Sequence, residues 1–139
     1  MSGTRIILTV TRGPLKGSKH IFDERRQCLI GRAPDCDIQL SLPNDPRFAN
    51  ISRHHCELDI DPPALRVRDL GSRNGTWLNG EKLNAGAEYL EDENAQCRPG
   101  DFVPLKDGDE LGIGYMIVRV RIAELSQVRE AVLEPALQG

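Results

Sequence analysis

Residues 65–83 read Leu-Arg-Val-Arg-Asp-Leu-Gly-Ser-Arg-Asn-Gly-Thr-Trp-Leu-Asn-Gly-Glu-Lys-Leu, and this stretch decides the fold. Leu65 and Val67 alternate with Arg66 and Arg68, the period-two pattern of a strand with one face buried. Gly71 to Gly75 is a turn. Thr76-Trp77-Leu78 and Glu81-Lys82-Leu83 flank Asn79-Gly80, a pair that suits the left-handed backbone of a type I′ hairpin turn. Working outward, the same grammar recurs. Downstream, Asp107-Gly108 marks a turn and 115–122 is the last and longest strand, with Val118, Val120 and Ile122 alternating with Arg119 and Arg121. Upstream, 55–60 is a strand broken by Asp61-Pro62-Pro63. Earlier strands fall at 5–10, 19–22, 27–31 and 37–40, and 41–51 is a loop. Short strands with regular turn signals predict an all-β fold, an antiparallel β-sandwich. Leu125, Val128 and Val132 then recur at helical spacing before Pro135, predicting a short C-terminal helix.

The composition sets outer bounds. A chain of 139 residues, 39% hydrophobic and 28% charged, has a globular balance and room for one domain. No apolar run reaches the roughly 20 residues of a membrane helix, and the N-terminus lacks a signal peptide's apolar stretch, so a cytoplasmic protein without membrane attachment is expected. A formal charge of -3 argues against a general nucleic-acid binder. Four cysteines, at 28, 36, 56 and 97, form no C-x-x-C pair, which disfavours a zinc ribbon or thioredoxin-like motif. They read as reduced thiols, Cys36 and Cys56 buried, Cys28 and Cys97 more exposed. A disulfide framework is the other reading, with three pairings between which the sequence does not choose.

Three polar segments sit where strands give way to loops: Gly31-Arg32, Ser52-Arg53-His54-His55, and Gly71 to Thr76. Arginine offers a planar fork of donors suited to phosphate. Serine hydroxyls and turn N–H groups donate to the same oxygens. An asparagine amide pairs with a peptide backbone in both directions. The ordered set Ile30-Gly31-Arg32, Asp35-Cys36-Asp37-Ile38, Ser52-Arg53-His54-His55, Asp69 to Thr76, Asn79-Gly80 and Leu105 to Asp109 resembles the forkhead-associated (FHA) domain over about residues 5–122. The resemblance implies an eleven-stranded β-sandwich that binds phosphothreonine peptides through loops at one end, a phospho-motif reader. By the same resemblance Arg32, Ser52, Arg53 and Arg73 would contact the phosphate and Asn74 the peptide main chain. Arg47 and Asn50 would influence selectivity. Gly31 and His55 would be structural, with His55 bracing the loop from behind, and Gly75, Asn79 and Gly80 would fix turns. The implied partners are phosphothreonine-containing products of Ser/Thr kinases, bound with affinity on the order of micromolar. No catalytic residue, cofactor or metal is expected.

The domain is expected to span 1–122, with 123–139 as a tail. Residues 84–104 form an insertion carrying Glu88, Glu91, Asp92, Glu93 and Asp101 against Arg98. It reads either as a solvated loop or, by hairpin parity, as an acidic flap near the ligand loops. Ser52 beside His54 or His55 lacks the orienting groups of a nucleophile pair. His54, Cys56 and Glu57 do not share a strand face as metal ligands. Arg66, Arg68, Arg119 and Arg121 read as solvated outer faces. The alternative function is a phosphate-independent interaction or dimerisation domain on the same fold.

Overall fold

The computed structural model describes residues 3–83 and 100–124. Among the described residues eleven strands follow in chain order: β1 Thr4–Arg12, β2 Lys19–Phe22, β3 Arg26–Gly31, β4 Ile38–Gln39, β5 Cys56–Asp61, β6 Ala64–Asp69, β7 Thr76–Leu78, β8 Glu81–Lys82, β9 Val103–Pro104, β10 Glu110–Ile113 and β11 Met116–Glu124. They form a six-stranded sheet, β2-β1-β11-β10-β7-β8, and a five-stranded sheet, β4-β3-β5-β6-β9. The all-β sandwich expected from the sequence is the observed fold. Among the described residues the helical structure is a single 3-10 turn, Pro46–Phe48. The helix expected after Leu125, Cys97 and residues 84–99 of the insertion lie outside the described residues.

The alternation read from the sequence becomes the core. Ile6, Leu8 and Val10 face inward from β1, opposite Ile122, Val120 and Val118 of β11. From the other sheet, Cys28 and Ile30 of β3, Leu58 and Ile60 of β5, and Leu65 and Val67 of β6 meet them. The polar residues between them face outward, as a two-residue period requires.

Two expectations change. Cys28 is fully buried, not exposed: it pairs with Leu58 and shares the inner face of Ile30. The sandwich is also not wholly antiparallel, because β4 runs parallel to β3, pairing Ile30 with Ile38. Asp37 explains that return. Its carboxylate accepts from the Leu29 N–H at 2.8 Å and from Arg26 Nη2 at 2.9 Å, drawing the chain back beside β3. Arg66 and Arg68 are more than a solvated face. They pair with Asp59 and Glu57, and both guanidiniums lie over the Phe102 ring, 4.8 and 4.7 Å from its centre.

The register positions the site. Ile30 pairs with Cys56, and Cys56 with Asp69, so the loops that follow Gly31 and Asp69 and the loop that precedes Cys56 leave one edge of the five-stranded sheet together. The insertion is anchored at the same end. Leu83 donates its N–H to the Thr76 carbonyl, and Gly100 donates to the Asp69 carbonyl, both at 2.8 Å.

Candidate functional site

Three loops build the site: 32–37, 40–55 and 70–75. Backbone hydrogen bonds zip the first to the second, Arg32 N–H to the Ser52 carbonyl and Ala33 N–H to the Arg53 carbonyl, each 3.0 Å. Gly31 is required by that approach. A Cβ there would lie 2.1 Å from the Arg53 carbonyl oxygen, a backbone atom that cannot swing aside.

His55 ties the second loop to the third. Its ring is fully buried. Nδ1 accepts the Ser52 N–H at 3.1 Å, so Nε2 carries the proton and donates to the Gly75 carbonyl at 2.8 Å. Burial pushes the His55 pKa below the ordinary value, outweighing the Gly75 hydrogen bond that opposes it. The neutral ring is the form this geometry needs, since a protonated Nδ1 could not accept.

Asp69 organises the third loop, a role sequence reasoning missed. Its side chain accepts the N–H groups of Gly71 and Ser72, both at 2.9 Å, the Thr76 hydroxyl at 2.7 Å, and the Ser72 hydroxyl. Ser72 Oγ in turn accepts the Gly75 N–H at 3.0 Å. A buried carboxylate is tolerated where several donors converge on it. The signal was available: an Asp closing a strand, with Gly and Ser two and three residues on, is an Asx-type turn. Gly75 completes the turn at φ +86°. Asn79 (φ 51°) and Gly80 (φ 86°) make the left-handed pair at the β7–β8 hairpin. The Asn79 side chain also bonds Asp109 and the Glu110 N–H, holding that hairpin to β10.

The loops enclose an open groove of about 210 Å³ lined by Arg32, Asn50, Ser52, Arg53, Arg73 and Asn74, with Ala49 and Ile51. Arg32 is oriented by its Nε, which donates to the Ile51 carbonyl at 3.0 Å. Its two terminal nitrogens remain as a fork of donors. Ser52 Oγ accepts the Arg73 N–H at 3.0 Å, so its own proton is left to donate. Asn74 Nδ2 donates to the Asn50 carbonyl at 2.9 Å, which fixes the amide and leaves Oδ1 as an acceptor. All five residues expected to contact a phosphopeptide therefore line one groove. Asn50 joins them. Arg47 does not line it. Its guanidinium is bound to Asp45, with Nη2 to Oδ2 at 2.6 Å.

Three arginines around one cleft concentrate positive potential in a chain of net charge -3. The arrangement suits a tetrahedral dianion attached to an extended chain. It does not suit nucleophilic catalysis. The His55 nitrogen nearest Ser52 receives that residue's N–H and not its hydroxyl, and His54 turns to Asp35, 2.9 Å away.

The FHA domain family model matches residues 28–114, the segment that contains every groove residue. The chain belongs to the FHA domain family. It is 33% identical over 108 residues to the glycogen accumulation regulator GarA of Mycolicibacterium smegmatis, covering 78% of this chain and 53% of that protein. It is 31% identical over 125 residues to the oxoglutarate dehydrogenase inhibitor of Corynebacterium jeikeium, covering 90% of this chain and 67% of that one. The chain thus spans about half to two thirds of these curated relatives. Among solved structures it is similar to an FHA domain studied for phosphothreonine-dependent interactions, with 26% identity, a TM-score of 0.59, and coverage of 84% of this chain and 95% of that one. No helix among the described residues is long and apolar enough to cross a membrane.

Proposed function

We propose that the groove between Arg32, Ser52 and Asn74 takes the phosphothreonine side chain of a partner protein. The chain then acts as a non-enzymatic adaptor that recruits Ser/Thr-kinase products. The observation that carries this reading is the division of labour in the groove. Arg32, Ser52 and Asn74 each have one hydrogen bond that fixes the side chain and further capacity left for a ligand. Arg32 supplies the fork to two phosphate oxygens, Ser52 a hydroxyl donor, and Arg53 and Arg73 flanking charge. Asn74 pairs with the peptide main chain beside the phosphorylated residue. Charge-assisted hydrogen bonds are worth about 1.5–3 kcal/mol each. Two or three, less the cost of ordering the peptide, leave affinity on the order of micromolar. A methyl contact adds about 0.8 kcal/mol, roughly fourfold in favour of threonine over serine.

By this reading the regulatory roles named for the two relatives, in glycogen accumulation and oxoglutarate dehydrogenase inhibition, give the kind of process the module serves. Cys28, Cys36 and Cys56 are free thiols, which suits the cytoplasm, where kinase products are met. Residues 1–122 act as the reader and 123–139 as a tail. A degenerate phosphothreonine peptide library screened against the purified chain tests the proposal. Enrichment of a flanking motif is expected. Retention of unphosphorylated peptides as readily as phosphorylated ones would replace it with the phosphate-independent reading.

A further inference from the structure

Asp35, Cys36 and His54 do not line the groove but stand on the two loops, 32–37 and 40–55, that are zipped together beside it. His54 and Asp35 are 19 residues apart in sequence. The bonds from Arg32 and Ala33 to the Ser52 and Arg53 carbonyls bring them together. One ligand-type atom from each of the three residues lies within 4.8 Å of the other two. His54 Nε2 is 2.9 Å from both Asp35 oxygens. Cys36 is almost wholly buried beneath this exposed pair, its thiol donating to the Arg53 carbonyl at 3.2 Å. An exposed His–Asp pair is worth little to stability on its own and gives no reason for a thiol under it.

We propose that Asp35, Cys36 and His54 form a binding site for a divalent transition ion of the zinc class, which staples the Arg32 loop to the loop carrying Ser52 and Arg53. The donor set decides the class. A thiolate, an imidazole and a carboxylate match zinc or cobalt, whereas calcium and magnesium take oxygen ligands. The spacing is close to what such an ion needs. Bonds of about 2.0–2.3 Å in a tetrahedron hold neighbouring ligand atoms about 3.3–3.7 Å apart. The His54–Asp35 contact opens slightly and the sulfur closes by up to about 1.5 Å, within the reach of side-chain rotation. Carboxylate and thiolate together balance the charge of the ion, and the fourth position opens to solvent. On binding, the Cys36 proton leaves to water as the S–metal bond forms, and the thiol's bond to the Arg53 carbonyl is released. Three protein ligands in place of four set the site's affinity below that of a closed structural zinc site. The cluster has no signature in the sequence, because its members come from two loops 19 residues apart.

The proposal does not depend on phosphopeptide binding and is tested without a peptide. The full chain is reduced, freed of metal and titrated with Co²⁺, whose thiolate charge-transfer absorption reports sulfur ligation directly. One ion per chain with that band is expected, in the parent and in Cys97→Ser. Cys36→Ser should abolish the band. His54→Gln, at an exposed side chain and so safe for folding, should weaken Co²⁺ binding about tenfold or more. Zn²⁺ should displace the cobalt and raise the melting temperature of the parent, by less in His54→Gln, and not in Cys36→Ser. Absence of a thiolate band, a band that survives Cys36→Ser, or equal affinity in His54→Gln would overturn the assignment.

Discussion

Replacing Asp69 by alanine removes the acceptor of four hydrogen bonds in one turn, and the cost can be worked from the geometry. The Thr76 hydroxyl is fully buried and loses its partner at 2.7 Å. A buried donor left unsatisfied costs about 1–3 kcal/mol. The Gly71 and Ser72 N–H groups lie in a half-buried turn that water can reach, so each loses its charge-assisted bond and regains part of it, a net of about 1 kcal/mol apiece. Ser72 Oγ keeps its bond from Gly75 and finds water for its own proton. The total is about 3–5 kcal/mol, the range for stripping one partner from a buried charged network. With a urea dependence of about 1.5 kcal/mol per molar, the unfolding midpoint should fall by about 2–3 M. Asp69→Asn should fall between alanine and the parent. Its amide oxygen still serves the two N–H groups, without the charge, and its NH₂ forces both hydroxyls to turn into acceptors. The assay is urea unfolding followed by tryptophan fluorescence, since Trp77 Nε1 bonds the Asn74 carbonyl in the same turn. An alanine variant within about 1 kcal/mol of the parent, or an asparagine variant less stable than the alanine one, would refute the claim that this carboxylate organises the loop.

Gly31→Ala should destabilise the domain by about 2 kcal/mol or more and weaken phosphopeptide binding. The added methyl meets the Arg53 carbonyl at 2.1 Å and must part the two loops; paired unfolding and binding titrations check both effects. Arg47→Ala should leave phosphopeptide affinity within about twofold of the parent, because its guanidinium is held by Asp45 away from the groove, and a tenfold loss by fluorescence anisotropy would contradict that placement. Neutralising Glu88, Glu91, Asp92 and Glu93 to their amides should reduce any preference for basic residues near the phosphothreonine and leave phosphate dependence intact. Both anchors of the insertion sit beside the Asn74 loop, and a peptide array unchanged by the substitutions would show that the segment plays no part.

Much of this was legible from residues alone, and the reasons are local. Alternation in 65–70 and 115–122 fixed which side chains face inward, because a strand's period is two whatever the surrounding fold. Asn79-Gly80 announced its turn because few residue pairs take that backbone. The groove residues were found because their types are dictated by phosphate chemistry and their order by a family pattern. What escaped depends on distance in sequence. The burial of Cys28 depends on the strand it pairs with, since Leu58 of β5 covers it from across the sequence. The parallel β4 is set by the Asp37 carboxylate reaching Leu29, a side-chain bond that no backbone periodicity encodes. Nothing in the sequence marks Asp45 as the partner of Arg47, an ion pair that exists only once the loop is folded. The Asp35–Cys36–His54 cluster needed two loops to be zipped before it existed.

The central claim is that one groove reads a phosphate on threonine. The most direct measurement is calorimetric titration of one library-selected peptide in three forms, phosphothreonine, phosphoserine and unmodified threonine, against the parent, Arg32→Ala and Ser52→Ala. The account predicts micromolar binding of the phosphothreonine form and roughly fourfold weaker binding of the phosphoserine form. It predicts no detectable binding of the unmodified peptide. The loss should be about 100-fold or more for Arg32→Ala and about tenfold for Ser52→Ala, with unfolding midpoints of both variants near that of the parent. Equal binding of the phosphorylated and unmodified peptides, or parental affinity in both variants, would contradict it.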